Sequence, residues 1–496
     1  MACDTPASRA TSRLVGRPPG FSGWCTYASA FDDHGPRGGP GECRHGTYDG
    51  DVIRKTSVRS PSTAGGEGHF MAAAAGGYAD ILKAPHAVRL LAGTLVGRLP
   101  NATAPIAIVL FTRAEGGSYS LAGALAAVYG LANAVGQPLL GRAVDLHGQP
   151  RVQLPAAVVS ALGMALLVLA GTGQLPLAYT AVAVAGLFTP PLEGGLRALW
   201  PSVLGGEDRV HRAYALDAVA QEVMFTVGPL LVTLLVAVQS PAAALLVINA
   251  VGVLGALSVV LSGPSRAWRS APREAHWLGA LRSPGLLALL GSFFFVGLAM
   301  GSITVAGVAY ADDHGRESVY GWLMAALGLG ALIGGGLYGA RQWAGAPERR
   351  LRLLVGLLAL GYLPLLLTPG VVPMTALAAV AGLFLAPAIA CAFIVVDRHA
   401  PRGTVTEAFS WLVTTFGVGA AAGTAVAGPA VELSGTTAGF GVAAAAGIAA
   451  LLVLLATRRV LAVPLRTAQH TGAVVAVSEN DRNGAVEPGF SSRHQA

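Results

Sequence analysis

The side chains most able to do chemistry fall inside stretches that are otherwise apolar. Arg98 stands in a run that opens near Ala87, with Pro100 and Asn101 just after it. Asp217, Gln221 and Glu222 share a run that opens near Ala213, and Glu193 and Arg197 close a third. Charged groups are costly in hydrocarbon, and they usually face a partner or a water-filled path. At helical rise, Arg98 lies about 16 Å along its run, Glu222 about 14 Å and Asp217 about 6 Å. A hydrocarbon core is about 30 Å thick, which puts Arg98 and Glu222 near its midplane. They can neutralise each other as an ion pair, directly or through Gln221 or Asn101. Such a pair either holds the structure together or opens during a working cycle. In the second case Glu222 is the first candidate to carry a proton. Asp217 and Glu222 point about 140° apart on a helix, so they cannot serve one site facing one way. Asp217 is expected nearer the start of its helix, paired with Arg197 or Arg142 as a gate or as structure. Glu193 and Arg197 have the i, i+4 spacing of a bridge on one helix face.

The elements that must hold these residues are membrane helices. Of 496 residues, 53% are hydrophobic and 12% charged, where soluble proteins carry about 25% charge. Twelve apolar segments approach the roughly 20 residues that a membrane helix needs. Their approximate bounds are 87–111, 120–140, 152–171, 176–199, 213–237, 241–262, 285–310, 319–340, 351–369, 373–396, 405–430 and 436–457. Pro190 and Pro191 should break or kink the fourth, and Pro100 and Pro105 the first. Residues 1–80 and 461–496 lack periodicity and read as disordered, and Met71 is an alternative start. The link 263–284 is the longest between segments.

The segments repeat. Residues 82–91, LKAPHAVRLL, match 281–290, LRSPGLLALL. Ala185-Gly-Leu-Phe188 with Pro191 matches Ala381-Gly-Leu-Phe384 with Pro387, and PLLGRAVDLHGQPR weakens to GLYGARQWAGAPERR. The offsets stay near 198 residues across six segments, as duplication of a six-helix unit requires. The fold class is therefore all-α, with twelve transmembrane helices in two pseudo-symmetric six-helix halves, 81–262 and 285–460. Arg142, Arg151, Arg197, Arg209, Arg212, Arg266, Arg269, Arg273, Arg282 and most later arginines fall on one side, and Arg113 and Arg316 on the other. The positive-inside rule places the basic side, with both termini, in the cytoplasm. The same loops account for the net charge of +7 without nucleic acid.

Between the second and third segments lies Gly141-Arg-Ala-Val-Asp145-Leu-His-Gly148-Gln-Pro-Arg151. It resembles the G-x-x-x-D-(R/K)-x-G-(R/K)-(R/K) turn of major facilitator superfamily transporters. Gly141, Asp145 and Gly148 match, Leu146, Gln149 and Pro150 replace basic residues, and Arg151 supplies one cation a residue late. GRLP in the first segment and RSPG before the seventh resemble phrases of bacterial members. The resemblance implies a bacterial cell-membrane transporter, usually monomeric, that moves a small solute by rocking its halves. It also implies that Asp145 meets the start of the eleventh helix, near Thr404 to Glu407, when the cytoplasmic side is shut. Gly228-Pro229 resembles part of an antiporter motif without its flanking glycines.

The repeat offset maps Arg98 and Glu222 onto Gly297 and Gly417, while Phe293, Phe294 and Phe295 stand in the seventh segment. A charged half facing an aromatic half suits an amphipathic organic solute, and core packing explains the aromatics equally well. No Gly-Lys-Ser/Thr phosphate loop, metal-ligand spacing or nucleophile–base pair stands out, so no cofactor and no enzyme activity are expected. Cys3, Cys25, Cys43 and Cys391 form no C-x-x-C pair. Proton-coupled efflux is the leading expectation. Proton-driven nutrient uptake and a non-transporting sensor or scaffold are the alternatives.

Overall fold

A lipid-spanning chain must satisfy its backbone groups within each segment, which favours helices throughout. The computed structural model describes residues 78–272, 276–316 and 318–462, without the side chains of 225 and 226. Met71, Cys3, Cys25, Cys43, Arg273 and the tail beyond 462 lie outside the described residues. Among the described residues, twelve helices are long and apolar enough to cross a membrane. They run Ala87–Ala114, Tyr119–His147, Gln149–Ala170, Leu175–Leu204, Glu207–Val238, Pro241–Val260, Pro284–Asp313, Ser318–Ala340, Pro347–Leu367, Val371–His399, Val405–Ser434 and Thr436–Ala456. We number these spans one to twelve.

Local chemistry sets several of the starts. Ser118, Ser240 and Ser283 accept the N–H of Leu121, Ala243 and Leu286 as N-caps of spans two, six and seven. Such a cap satisfies one of the donors that a helix start leaves open. Gly148 joins spans two and three at φ 87°, a conformation that costs glycine little. The fifth span starts at Glu207 rather than near residue 213, because its charged opening turns remain helical beyond the apolar stretch. Residues 78–82 are also helical, where the sequence suggested irregular chain. Ile81 is fully buried there, and the Tyr78 hydroxyl faces the carbonyls of Gly335 and Gly336 at 3.3 and 3.4 Å. Burial pushes that hydroxyl up to about 12, against the neighbouring Arg212, so it stays protonated as a donor.

The two halves repeat one packing device. A Cβ on Gly186 would overlap the Tyr129 carbonyl oxygen, and one on Gly136 the Leu187 carbonyl. In the second half, Gly382 meets Leu327 and Gly334 meets Leu383 in the same way. These glycines bring span two against span four, and span eight against span ten, at backbone distance. Both of the helices so gripped are interrupted nearby. The fourth breaks at 188–191, between Leu175–Leu187 and Leu192–Leu204. The tenth breaks between Val371–Gly382 and Leu385–His399. The first span, by contrast, continues as one helix through Pro100 and Pro105.

The halves meet where span two packs on span eleven and span five on span eight, with further contact of five on ten and four on eleven. At the first of these seams a Cβ on Gly141 would press on Glu407 and Ser410. At the pseudo-equivalent seam, one on Gly339 would press on Tyr78 and Ala215.

Candidate functional site: a buried ion cluster at the seam of the halves

Span one brings Arg98, span four Glu193 and Arg197, and span five Asp217 and Gln221 to one point. Arg98 Nε lies 2.9 Å from Glu193 Oε1, and its Nη1 lies 3.2 Å from Asp217 Oδ1. Arg197 Nε lies 2.6 Å from Asp217 Oδ2, and its Nη2 lies 3.5 Å from Glu193 Oε2. The Gln221 side-chain oxygen accepts from both arginines, at 3.4 and 3.2 Å. Asp217 and Arg197 are fully buried, and Arg98 nearly so. Two cations therefore share two carboxylates in a charge-neutral group. Buried charges persist in that form, because an unmatched one keeps its full desolvation penalty.

The expected Arg98–Glu222 pair is not made; Glu193 and Asp217 take the arginine instead. The cause is the early start of the fifth helix. Counted from Glu207, Asp217 lies about 15 Å along the span, level with Arg98, and Glu222 lies more than a turn beyond. Asn101 also stands outside the cluster, where its side-chain oxygen accepts from Asn133 Nδ2 at 3.0 Å. Gln221 belongs to the cluster, while Glu222, also buried, is not bridged to Arg98.

Sequence reasoning missed the other face of Arg197. Its guanidinium carbon lies 3.7 Å from the ring centroid of Phe393 in span ten and 5.8 Å from that of Phe409 in span eleven. Tyr214 closes this wall, with ring centroids 6.1 and 5.9 Å from the two phenylalanines. The arginine thus belongs to one half by its salt bridges and to the other by its stacking. A desolvated cation–π contact of this kind contributes about 2 kcal/mol. The sequence carried a partial signal, since two buried arginines required two carboxylates and Glu193 was near enough to be one.

Beside the cluster, the break in span four exposes backbone that side chains satisfy. Gln137 Nε2 donates to the Thr189 carbonyl at 3.0 Å, and the Thr189 hydroxyl lies 3.2 Å from that of Tyr129. Pro190 and Pro191 supply no N–H, which explains why the helix stops there. A pocket opens next to this break, lined in part by Asn101, Ser160, Thr189 and Asn249.

At the arginine-rich end, Asp145 accepts the N–H of Thr406 at 3.1 Å and of Glu407 at 2.9 Å. Those are first-turn groups of span eleven, whose open donors and dipole favour an anion. Glu407 accepts in turn from the N–H of Ala280 at 3.2 Å. Arg142 donates to the carbonyls of Trp277 and His276 at 2.7 and 3.4 Å, so it holds the central link rather than Asp145. Arg151 is exposed. In the repeat, Trp343 takes the place of Asp145. It stacks on Tyr338 and donates to that residue's carbonyl at 2.8 Å, between Arg341 and Arg350.

The sequence model of the Major Facilitator Superfamily matches residues 90–378. The chain belongs to this superfamily. Solved structures agree in fold. The human organic anion transporter MFSD10 (TETRAN) is 19% identical, with 74% of this chain and 97% of that chain covered and a TM-score of 0.54. A bacterial homologue of the iron transporter ferroportin, in an outward-facing state, is 17% identical over 74% and 98%, with a TM-score of 0.60. The transporter FucP in its outward conformation is 16% identical over 75% and 97%, with a TM-score of 0.55. Comparison with curated proteins finds no match. As a major facilitator protein the chain is a multi-pass secondary transporter, and the ion cluster lies among three of its spans.

Proposed function

We propose that this transporter exports amphipathic organic solutes in exchange for protons, by alternating access between its two six-helix halves. The observation that carries the reading is the double allegiance of Arg197. Two carboxylates on its own half and an aromatic ring on the other half hold the same guanidinium. Separating the halves at the arginine-rich end strips the ring from the cation and admits water to Asp217 and Glu193. A proton arriving at a carboxylate would loosen the same group from within. Asp217, Glu193 and Glu222 are the carboxylates placed to receive it, and Arg98, Asn101 and Gln221 line the route. Gly141, Asp145 and Gly148 form the gate, with Asp145 holding the start of span eleven while the arginine-rich end is shut.

The charge asymmetry of the loops supports placing that end in the cytoplasm, and the family resemblance supports a monomer in a bacterial cell membrane. The state described here is then closed toward the cytoplasm. The solute class follows from the contrast between halves. Polar groups gather in the first half, while Phe294 and Phe295 of span seven stand half-buried and edge-on, 5.4 Å apart. Phe293 packs into the core.

The test is proton movement in proteoliposomes on adding a panel of organic cations, organic anions, sugars and amino acids, with wild type and Glu222→Gln compared. Proton flux opposite to one amphipathic class, reduced in the variant, supports the reading. Flux in the same direction as a sugar or amino acid would replace export by uptake. No flux with any solute would leave the export reading without support.

A further inference from the structure

A second charged site, separate from the ion cluster, lies in the other half. The first two turns of span nine, the last turn of span ten and the short helix Arg458–Leu461 that follows span twelve enclose a cleft of about 430 Å³, its open mouth included. Its lining is Ala346, Glu348, Arg349, Arg352, Arg398 and Arg458, with Ala462 at the edge. Glu348 is the one carboxylate among them, and it is already engaged. Its Oε1 lies 3.1 Å from Arg398 Nε and 3.6 Å from Nε2 of the buried His399. Among the described residues, no ion pair joins Arg349, Arg352 or Arg458 to any carboxylate. Three helices therefore hold four guanidinium groups around a hollow that contains one neutralised acid.

We propose that this cleft binds a phosphate-bearing anion. Guanidinium forks approaching from different helices match the several oxygens of a phosphate better than a single carboxylate. The start of span nine adds the positive end of a helix dipole on the same side. Like charges gathered in a concave surface repel, and an anion between them turns that repulsion into attraction. Spans nine, ten and twelve end together here, at the level where lipid headgroups stand. Anionic phospholipids are known to fill basic clefts at that depth. The ligand is therefore a phospholipid phosphodiester or a free phosphate, and both present the same chemistry. The lipid source rests on the arginine-rich end facing the cytoplasmic leaflet. The anion site itself does not.

The experiment measures the thermal midpoint of the full chain in detergent micelles. Phosphatidylglycerol is titrated against phosphatidylcholine, and sodium phosphate against sodium chloride at equal ionic strength. The expected result is a rise with phosphatidylglycerol or phosphate, and none with phosphatidylcholine or chloride. A shift with the lipid alone identifies the lipid as the source, and a shift with phosphate alone identifies the free anion. Arg349→Gln/Arg352→Gln/Arg458→Gln should abolish the effect, while Arg266→Gln/Arg269→Gln, in the central link, should retain it. Arg458→Gln alone, at an exposed position of a four-residue helix, tests the site without burdening the fold. It should weaken the apparent affinity about tenfold, as loss of one charged hydrogen bond does. Equal shifts in wild type and the triple variant, equal losses in the triple and central-link variants, or no shift in wild type would each overturn the proposal.

Discussion

Asp217 holds one arginine on each oxygen, so neutralising it affects two cations at once. Asp217→Asn keeps the shape and removes the charge that Arg98 and Arg197 share. Breaking a buried pair from one side costs about 3–5 kcal/mol, and a large fall in thermal midpoint is expected. Glu222→Gln, outside the cluster, should lower the midpoint far less, and scanning calorimetry of the two side by side decides the point. Arg197→Lys makes a sharper test of the stacking. A lysine keeps the charge but loses the planar fork that spans two carboxylates and lies over Phe393. We expect transport to fall at least tenfold with only a modest change in stability, measured by solute flux in proteoliposomes. Unimpaired flux would show that the stacking over Phe393 is passive. At this scale the sequence revealed which residues were unusual, because charges inside apolar runs are conspicuous. It did not reveal how they pair. The Arg98 partner was misjudged because the fifth helix continues through Glu207 to Arg212, where hydropathy falls although the helix does not. Phe393 and Phe409 carried no signal, since aromatics in an apolar run look like core until a cation is found against them.

Individual helices are positioned by glycine contacts and by their ends. Gly186 and Gly136 stand where a side chain would enter the backbone of the neighbouring span. Gly186→Val should therefore yield little folded protein, whereas Gly123→Val, where a Cβ meets open space, should be tolerated. Size-exclusion profiles of the two variants in detergent provide the comparison, and equal monodisperse yields would refute the close-packing account. Asp145→Asn keeps an acceptor for Thr406 and Glu407 but removes the anion from the helix start. The loss is about 0.3–1 kcal/mol, and up to about 2 in a partly buried setting. That is enough to shift the balance of states without unfolding either half. Faster alkylation of a cysteine placed at Ser410 is the expected sign, and an unchanged rate would count against a gating role. The Asp145 contact was legible in advance because the turn has a recognisable pattern of residues. Its counterpart at Trp343 was not, because a stack of Trp, Tyr and two arginines replaces the carboxylate. The break in span four could be read from two prolines. The matching break in span ten, where Pro387 lies inside the following helix, was visible only through the repeated Ala-Gly-Leu-Phe.

For the whole molecule, twelve apolar runs, a repeat near 198 residues and one basic side already implied two equivalent bundles. What they could not imply is which seams are closed, because that depends on contacts between residues hundreds of positions apart. The seam of spans two and eleven carries Gly141 and Asp145, that of five and eight carries Gly339 and Tyr78, and Arg197 joins span four to ten and eleven. If the buried cluster locks these seams, neutralising it should open them. The most direct measurement places spin labels at Leu146→Cys and Arg402→Cys, two exposed positions on opposite sides of the seam, with Cys3, Cys25, Cys43 and Cys391 replaced by serine. Distance distributions are then compared with and without Asp217→Asn. We predict a single short distance in the parent and a dominant longer population in the neutralised protein. Identical short distances in both would contradict the account, because the cluster would then stabilise one half without governing how the two halves part.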